Sequence, residues 1–195
     1  MNFELEIDTI KPIGVNHFRQ TIAAHTRGKS TAPPFVLASD FGVLNQFMTL
    51  LHIDLHKNVS PGREDQTAQS QNVLRRETQI LQAIAPFKPP VAAGCIYEMR
   101  EYSVLPGTLS TFVELMLGVL PLREEYSANV GVWIPLSGSR DRLLHLWAYT
   151  DLAQRKDVRS AVGTEPAWQE YMQQILPLLQ EMRSTLWQRL DLESQ

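Results

Sequence analysis

Two short runs in the second half of the chain place groups capable of chemistry at alternate positions. Tyr97-Glu98-Met99-Arg100-Glu101-Tyr102 offers Glu98, Arg100 and Tyr102, and His145-Leu146-Trp147-Ala148-Tyr149 offers His145, Trp147 and Tyr149. In a strand, alternate side chains share a face, so each trio points one way. On neighbouring strands the six would form one wall. His145 with Glu98 or Tyr102 suits a general base and its orienter, Arg100 suits orientation of a polar substrate group, and Trp147, Tyr149 and Tyr102 suit the grip on a flat organic molecule.

The first half has a more acidic counterpart, Glu4, Glu6 and Asp8 with His52, Asp54 and His56. Imidazole with carboxylate suits several divalent metals. Alternate residues of one strand lie about 7 Å apart, however, so three in a row cannot hold one ion. A metal would need His52 or His56 together with acids of the next strand. The expected site therefore has His145, Arg100 and Glu98 as catalytic groups and Tyr102, Trp147, Tyr149, His52 and Glu6 as substrate-binding groups, with no metal and no cofactor. No Gly-rich loop has phosphate-binding spacing, and no Gly-x-Ser-x-Gly elbow occurs.

The elements that must carry these residues occur twice. Pro12 and Phe18 recur as Pro106 and Phe112, and Leu50-Leu51-His52-Ile53 recurs as Leu143-Leu144-His145-Leu146. Self-similarity at a nearly fixed offset marks an internal repeat. Residues 1–88 and 95–195 are the expected copies, joined by a linker in the stretch Pro86–Gly94, whose prolines oppose a helix. Each copy reads as strand, helix, strand, strand, helix. Strands are expected at 3–8, 35–37, 47–56, 97–102, 130–134 and 142–149. Helices are expected at 15–26, 67–84, 108–126, 151–162 and 165–176, with Asp151 and Thr164 as N-caps. Pro121 is expected to kink or end the first part of its helix. The tail, 179–190, fits a strand or a helix. Two strand-helix-strand units in one sheet give the ferredoxin-like α+β pattern, and two such sheets facing each other would enclose a space.

At this point the second half resembles the NIPSNAP family of the dimeric α/β-barrel superfamily. The residues that carry the likeness are Tyr97–Tyr102 followed by Leu105-Pro106-Gly107, His145–Tyr149, and Glu165-Pro166-Ala167-Trp168-Gln169-Glu170-Tyr171 running into Ile175–Leu179. The first half is a degenerate relative, with Asp54 where Trp147 stands. The resemblance implies a ferredoxin-like half-barrel and a strand for the tail. Superfamily relatives include cofactor-free monooxygenases, haem-degrading enzymes and isomerases, so the step from fold to reaction is analogy.

Helices prefer apolar faces. On that argument Phe3, Leu5, Ile7, Leu51, Ile53, Leu55, Leu144, Leu146 and Ala148 would face helices, and the mixed faces would line the enclosed space, with an acid of the first half paired to Arg100. Three uses of that lining stay open: a satisfied polar network joining the sheets, a pocket for a small hydrophobic or aromatic molecule, or a metal site.

Composition bounds these choices. Of 195 residues 44% are hydrophobic and 20% charged, and the net charge is −3. That is an ordinary globular balance without the basic excess of a nucleic-acid binder. Cys95 is the single cysteine, which excludes a disulfide framework and a Cys-rich zinc site. No apolar run reaches the length of a membrane helix, and the acidic start is unlike a basic leader. The expectation is a cytoplasmic small-molecule-binding barrel, with cofactor-independent monooxygenase or isomerase chemistry as its enzymatic form and a non-catalytic scaffold as the alternative. A homodimer is compatible with either.

Overall fold

Eight antiparallel strands close into one barrel within a single chain. The computed structural model of the protein describes residues 1–26, 35–55, 71–89 and 95–190. The first half contributes β1 (Asn2–Ile10), α1 (Val15–Thr26), β2 (Phe35–Phe41), β3 (Gln46–Ile53) and β4 (Val73–Ala83). The second contributes β5 (Ile96–Val104), α2 (Leu109–Glu124), β6 (Ala128–Pro135), β7 (Arg142–Tyr149), α3 (Leu152–Gly163), α4 (Pro166–Ile175) and β8 (Leu179–Arg189). The order around the barrel is β1-β3-β2-β8-β5-β7-β6-β4. Each half therefore presents the same ferredoxin-like order, fourth-first-third-second, with the central pairs β1–β3 and β5–β7.

The halves meet at two short seams. β2 pairs with β8 from Leu37↔Arg189 to Phe41↔Leu186. β4 pairs with β6 only at Leu81↔Pro135, Gln82↔Ile134 and Ala83↔Trp133. Closure rests more on what the barrel contains. Phe3, Leu5, Leu37, Met48, Leu50, Leu81, Tyr97, Met99, Trp133, Leu144, Leu146 and Trp187 form one buried cluster drawn from all eight strands. An eight-stranded barrel is just wide enough to be filled by side chains or to hold one small ligand, and here side chains fill most of it.

This reverses the expected faces of β1, β5 and β7, while on β3 Leu51 and Ile53 lie on the outer side as expected, because Met48 and Leu50 point inward. Leu144, Leu146 and Ala148 point into the barrel, and so do Phe3 and Leu5. Glu98, Arg100, Tyr102, His145, Trp147 and Tyr149 occupy the outer face, beneath α2, α3 and α4. The preference of helices for an apolar partner is real, but the closed interior excludes water more strictly and takes the apolar face first. A second cluster, including Tyr102, Phe112, Met116, Trp147, Tyr149, Val158, Tyr171 and Ile175, then packs the helices onto the mixed face. On the first half α1 covers Ile10, Val36 and Phe47 with Phe18 and Ile22.

The helix expected over 67–84 is instead β4, residues 67–70 lying outside the described set. Its Leu, Arg, Glu and Gln content favours a helix locally. Pairing with β1 along Asn2↔Gln82 to Ile10↔Val73 overrides that preference. The tail is a strand. Asp151 caps α3, its carboxylate accepting from the Gln154 amide at 2.7 Å. Thr164 is not the cap of α4, which begins after Glu165; its hydroxyl donates to the Ala161 carbonyl at the end of α3. α2 continues through Pro121 to Glu124.

Trp133 depends on a glycine. A Cβ on Gly131 would lie 2.4 Å from the Trp133 indole, which is fully buried. Gly131→Ala is expected to destabilise the barrel by about 1–3 kcal/mol, the usual range for overpacking. The midpoint of a denaturant titration measures this.

Candidate functional site

The outer face of β5, β7 and β8 brings the predicted groups together. The register places Arg100 beside His145 and Glu98 beside Trp147, with Ser184 on the other side of Arg100. Glu98 is the centre. Its side chain is 1% exposed, so an ionised carboxylate there needs partners. Arg155 supplies a two-pronged grip, Nε to Oε2 at 3.1 Å and Nη2 to Oε1 at 2.7 Å. Ser184 donates to Oε1 at 2.6 Å, the Tyr149 hydroxyl to Oε2 at 3.3 Å, and Arg159 to Oε1 at 3.4 Å. Arg100 Nε stands 3.4 Å from Oε1 as an ion pair. Burial alone would push the carboxyl upward, but the Arg155 hydrogen bonds, the Arg100 charge and Ser184 together hold it at about 2.

Behind this centre lies Arg123, on the last turn of α2 and 4% exposed. It donates to Ser127 Oγ at 2.6 Å and to the Tyr149 hydroxyl at 2.9 Å. Its guanidinium also lies 4.4 Å from the Trp147 ring centroid, a cation–π contact. No described carboxylate pairs with it directly. Burial raises the Tyr149 and Tyr102 pKa values, so both hydroxyls keep their protons.

His145 is the second buried feature. The Trp147 indole N–H donates to His145 Nδ1 at 2.6 Å. Indole is a donor only, so Nδ1 carries the lone pair and Nε2 carries the proton. Burial and the nearby Arg100 charge lower the imidazole pKa well below its ordinary value, against a smaller upward pull from Glu98. The ring is neutral at pH 7, and Tyr102 meets it edge-on at 4.9 Å. Its Nε2–H has no hydrogen-bond partner, and neither has Arg100 Nε–H on the neighbouring strand. Two donors that make no hydrogen bond thus sit at register neighbours.

This assignment changes the expected roles. With Nδ1 occupied and Nε2 protonated, His145 is a hydrogen-bond donor and not a general base. Glu98, held ionised by arginines, is a weak base and acts as their anchor. The remaining predicted residues lie elsewhere. His52 pairs with Phe3 rather than with the acids, stacks edge-on with it at 5.7 Å, and is exposed at the rim of the barrel. Glu6 lies on the outer face of the first half, 3.5 Å from Arg76, which also grips Asp8 at 2.6 Å. Arg100 therefore takes its acid from its own strand and not from the first half. Among the described residues no cluster suited to a metal ion is present, and His56 lies outside them.

Arg123, Arg155, Arg159 and Ser184 escaped the sequence reading. Arg155 and Arg159 stand one helical turn apart, which places them on one side of α3. A carboxylate expected to be buried called for such partners, but nothing in the strand pattern said that a helix would supply them. A separate cavity of about 220 Å³ opens at one end of the barrel, lined by Glu101, Ser103, Ser139, Arg142, Glu181 and Arg183. There Arg142 pairs with Glu101, and Arg183 with Glu181.

Both buried groups link stability to pH in the same direction. His145 stays neutral when folded, so below about pH 6.5 the unfolded chain alone takes up its proton and folding weakens. Glu98 adds a second loss as pH falls from about 4.3 toward 2, because its folded pKa is the lower one. Thermal melts across this range are expected to fall in two limbs, with His145→Gln removing the upper one. Glu98→Gln leaves buried guanidiniums uncompensated and is expected to cost about 3–5 kcal/mol at pH 7, measured by chemical denaturation.

The comparisons with known proteins agree with this architecture. NipSnap homolog 2 of Homo sapiens is 32% identical over 125 residues, covering 63% of this chain and 44% of its own. NipSnap homolog 3B of Homo sapiens is 36% identical over 87 residues, covering 44% of this chain and 34% of its own. The chain thus spans less than half the length of these curated relatives. A candidate monooxygenase of Fusobacterium nucleatum subsp. nucleatum superposes with a TM-score of 0.71 at 12% identity, covering 97% of this chain and 92% of its own. That likeness extends to the fold alone. The NIPSNAP family itself matches residues 97–191, the half that carries the Glu98–His145 cluster. Residues 97–191 of the chain thus make up a NIPSNAP domain, similar to those of the NipSnap homologs.

Proposed function

We propose that the chain binds a small, partly aromatic organic molecule at the outer face of the second half, between β5, β7 and β8 and the covering helices. The observation that carries this reading is the pair of unpartnered donors, His145 Nε2–H and Arg100 Nε–H. Buried donors almost always find acceptors, and a carbonyl or oxyanion of a ligand would serve both. Trp147, Tyr149 and Tyr102 supply aromatic surface around them. Glu98 holds Arg100 and Arg155 in place and is a positioning residue.

If the bound molecule reacts, the chain supports polarisation of oxygen more than proton abstraction. For a substrate that loses its proton to solvent water, donors fixed where negative charge develops stabilise the resulting enolate or phenolate without reorganising. Such an anion is an entry to cofactor-independent oxygenation or isomerisation, the enzymatic form anticipated from the sequence. Fold likeness to a candidate monooxygenase raises this option only as analogy. The scaffold alternative draws on a different observation, the dense set of partners around Glu98, which would equally serve to fasten α3 to the sheet.

A thermal-shift screen of aromatic metabolites separates the two. A compound that raises the melting temperature of the wild type, and loses that effect against the separate baselines of His145→Ala and Arg100→Ala, supports the site. Equal shifts in all three proteins would remove it.

A further inference from the structure

We infer that the ligand of this face is an organic anion, an aromatic carboxylate whose carboxyl group binds at Arg100 and His145. The inference rests on the small-molecule reading above and narrows it to a chemical class.

Charge is the first argument. Arg100, Arg123, Arg155 and Arg159 surround one face, and Glu98 is the only described carboxylate within ion-pair distance of any of them. The imidazole adds no negative charge. Three guanidinium charges are therefore without a fixed counter-charge around a carboxylate that is itself buried, Arg123 being buried, Arg100 and Arg155 partly buried and Arg159 exposed. Buried charges are ordinarily matched, and an ion pair in such a place is screened far less than one at the surface.

Donor geometry is the second. Arg123 is engaged by Ser127, Tyr149 and the Trp147 ring, and Arg155 by Glu98. Arg100 is different: its Nε–H makes no hydrogen bond although its side chain is only 20% exposed. Its register neighbour His145, 2% exposed, likewise presents an unused N–H. A carboxylate has two acceptor oxygens and no donor, and so matches two donors that make no hydrogen bond, although Arg100 Nε is within ion-pair distance of Glu98. A neutral amide would turn its own N–H₂ toward one of them.

Access and shape are the third. Arg159 is 45% exposed and Ser184 is exposed, so the edge of the cluster along β8 reaches solvent. Tyr102 and Trp147 pack beside Arg100 and His145, and their aromatic surface favours a ring behind the carboxylate over a bare inorganic ion.

Calorimetric titration of the intact chain with matched pairs, benzoate against benzamide and phenylacetate against phenylacetamide, tests the inference, with inorganic phosphate as a third probe. The acids are expected to bind at least ~10-fold more tightly than their amides, the size of a charge-assisted hydrogen bond. Arg100→Gln is expected to abolish that preference. Arg159→Gln, at the exposed edge, is expected to weaken the acids several-fold while leaving the amides unchanged, and serves if Arg100→Gln does not fold. Amides binding as well as acids, with both lost in His145→Ala, would overturn the anion while leaving the small-molecule site standing. Phosphate binding as tightly as the acids would overturn the aromatic class. No binding of either acid would overturn the inference, while the wider screen continues to test the site itself.

Discussion

The width of an eight-stranded barrel governs the rest of this molecule. Along most of its length a ring of that size is filled by its own side chains, and one apolar cluster draws inward side chains from all eight strands. Polar groups at the alternate positions of these strands then face outward, while Glu101, Ser103, Arg142, Glu181 and Arg183 line the cavity at one end. On the second half the outward groups meet helices, and the helices bring the arginines that make burial of a carboxylate tolerable. The cluster around Glu98 is thus a product of the packing inside the barrel.

That cluster joins two kinds of interaction with opposite sensitivities. The Glu98–Arg155 pair offsets a large desolvation penalty with short, two-pronged hydrogen bonds, and removing Glu98 would leave four arginines with no described carboxylate among them. The Trp147–His145 bond is weaker in energy but sharper in consequence. It fixes which imidazole nitrogen bears the proton and so decides that the ring offers a donor to its surroundings. Electrostatic strength and proton placement are set by different residues on the same face.

Much of the fold was legible from the sequence because its signals are local and repeated. The Pro12/Pro106 and Phe18/Phe112 correspondence and the Leu-Leu-His runs mark the two copies, and the β7 limits follow from an unbroken strand-forming stretch between a turn and an N-cap. β4 was not legible, since Leu74–Gln82 is composed of helix formers and becomes a strand only through pairing with β1. Within the site, the grouping of Glu98, Arg100, Tyr102, His145, Trp147 and Tyr149 followed from alternation, which tells sides apart without saying which side is inside. That choice depends on barrel closure, a long-range property. The placement of His52 failed for a related reason: alternation within β1 and within β3 says nothing of register, and Phe3↔His52 sets the imidazole on the opposite side from Glu4 and Glu6.

The brevity of the two seams has its own implication. β4 and β8 are each 11 residues long, and each borders one strand of its own half and one of the other. Either half in isolation would bare two strand edges and one wall of apolar side chains, Trp133 and Trp187 among them for the second. Such a surface invites association with another copy. Joining both halves in one polypeptide converts that encounter into an intramolecular event, so assembly of the barrel becomes independent of how dilute the protein is.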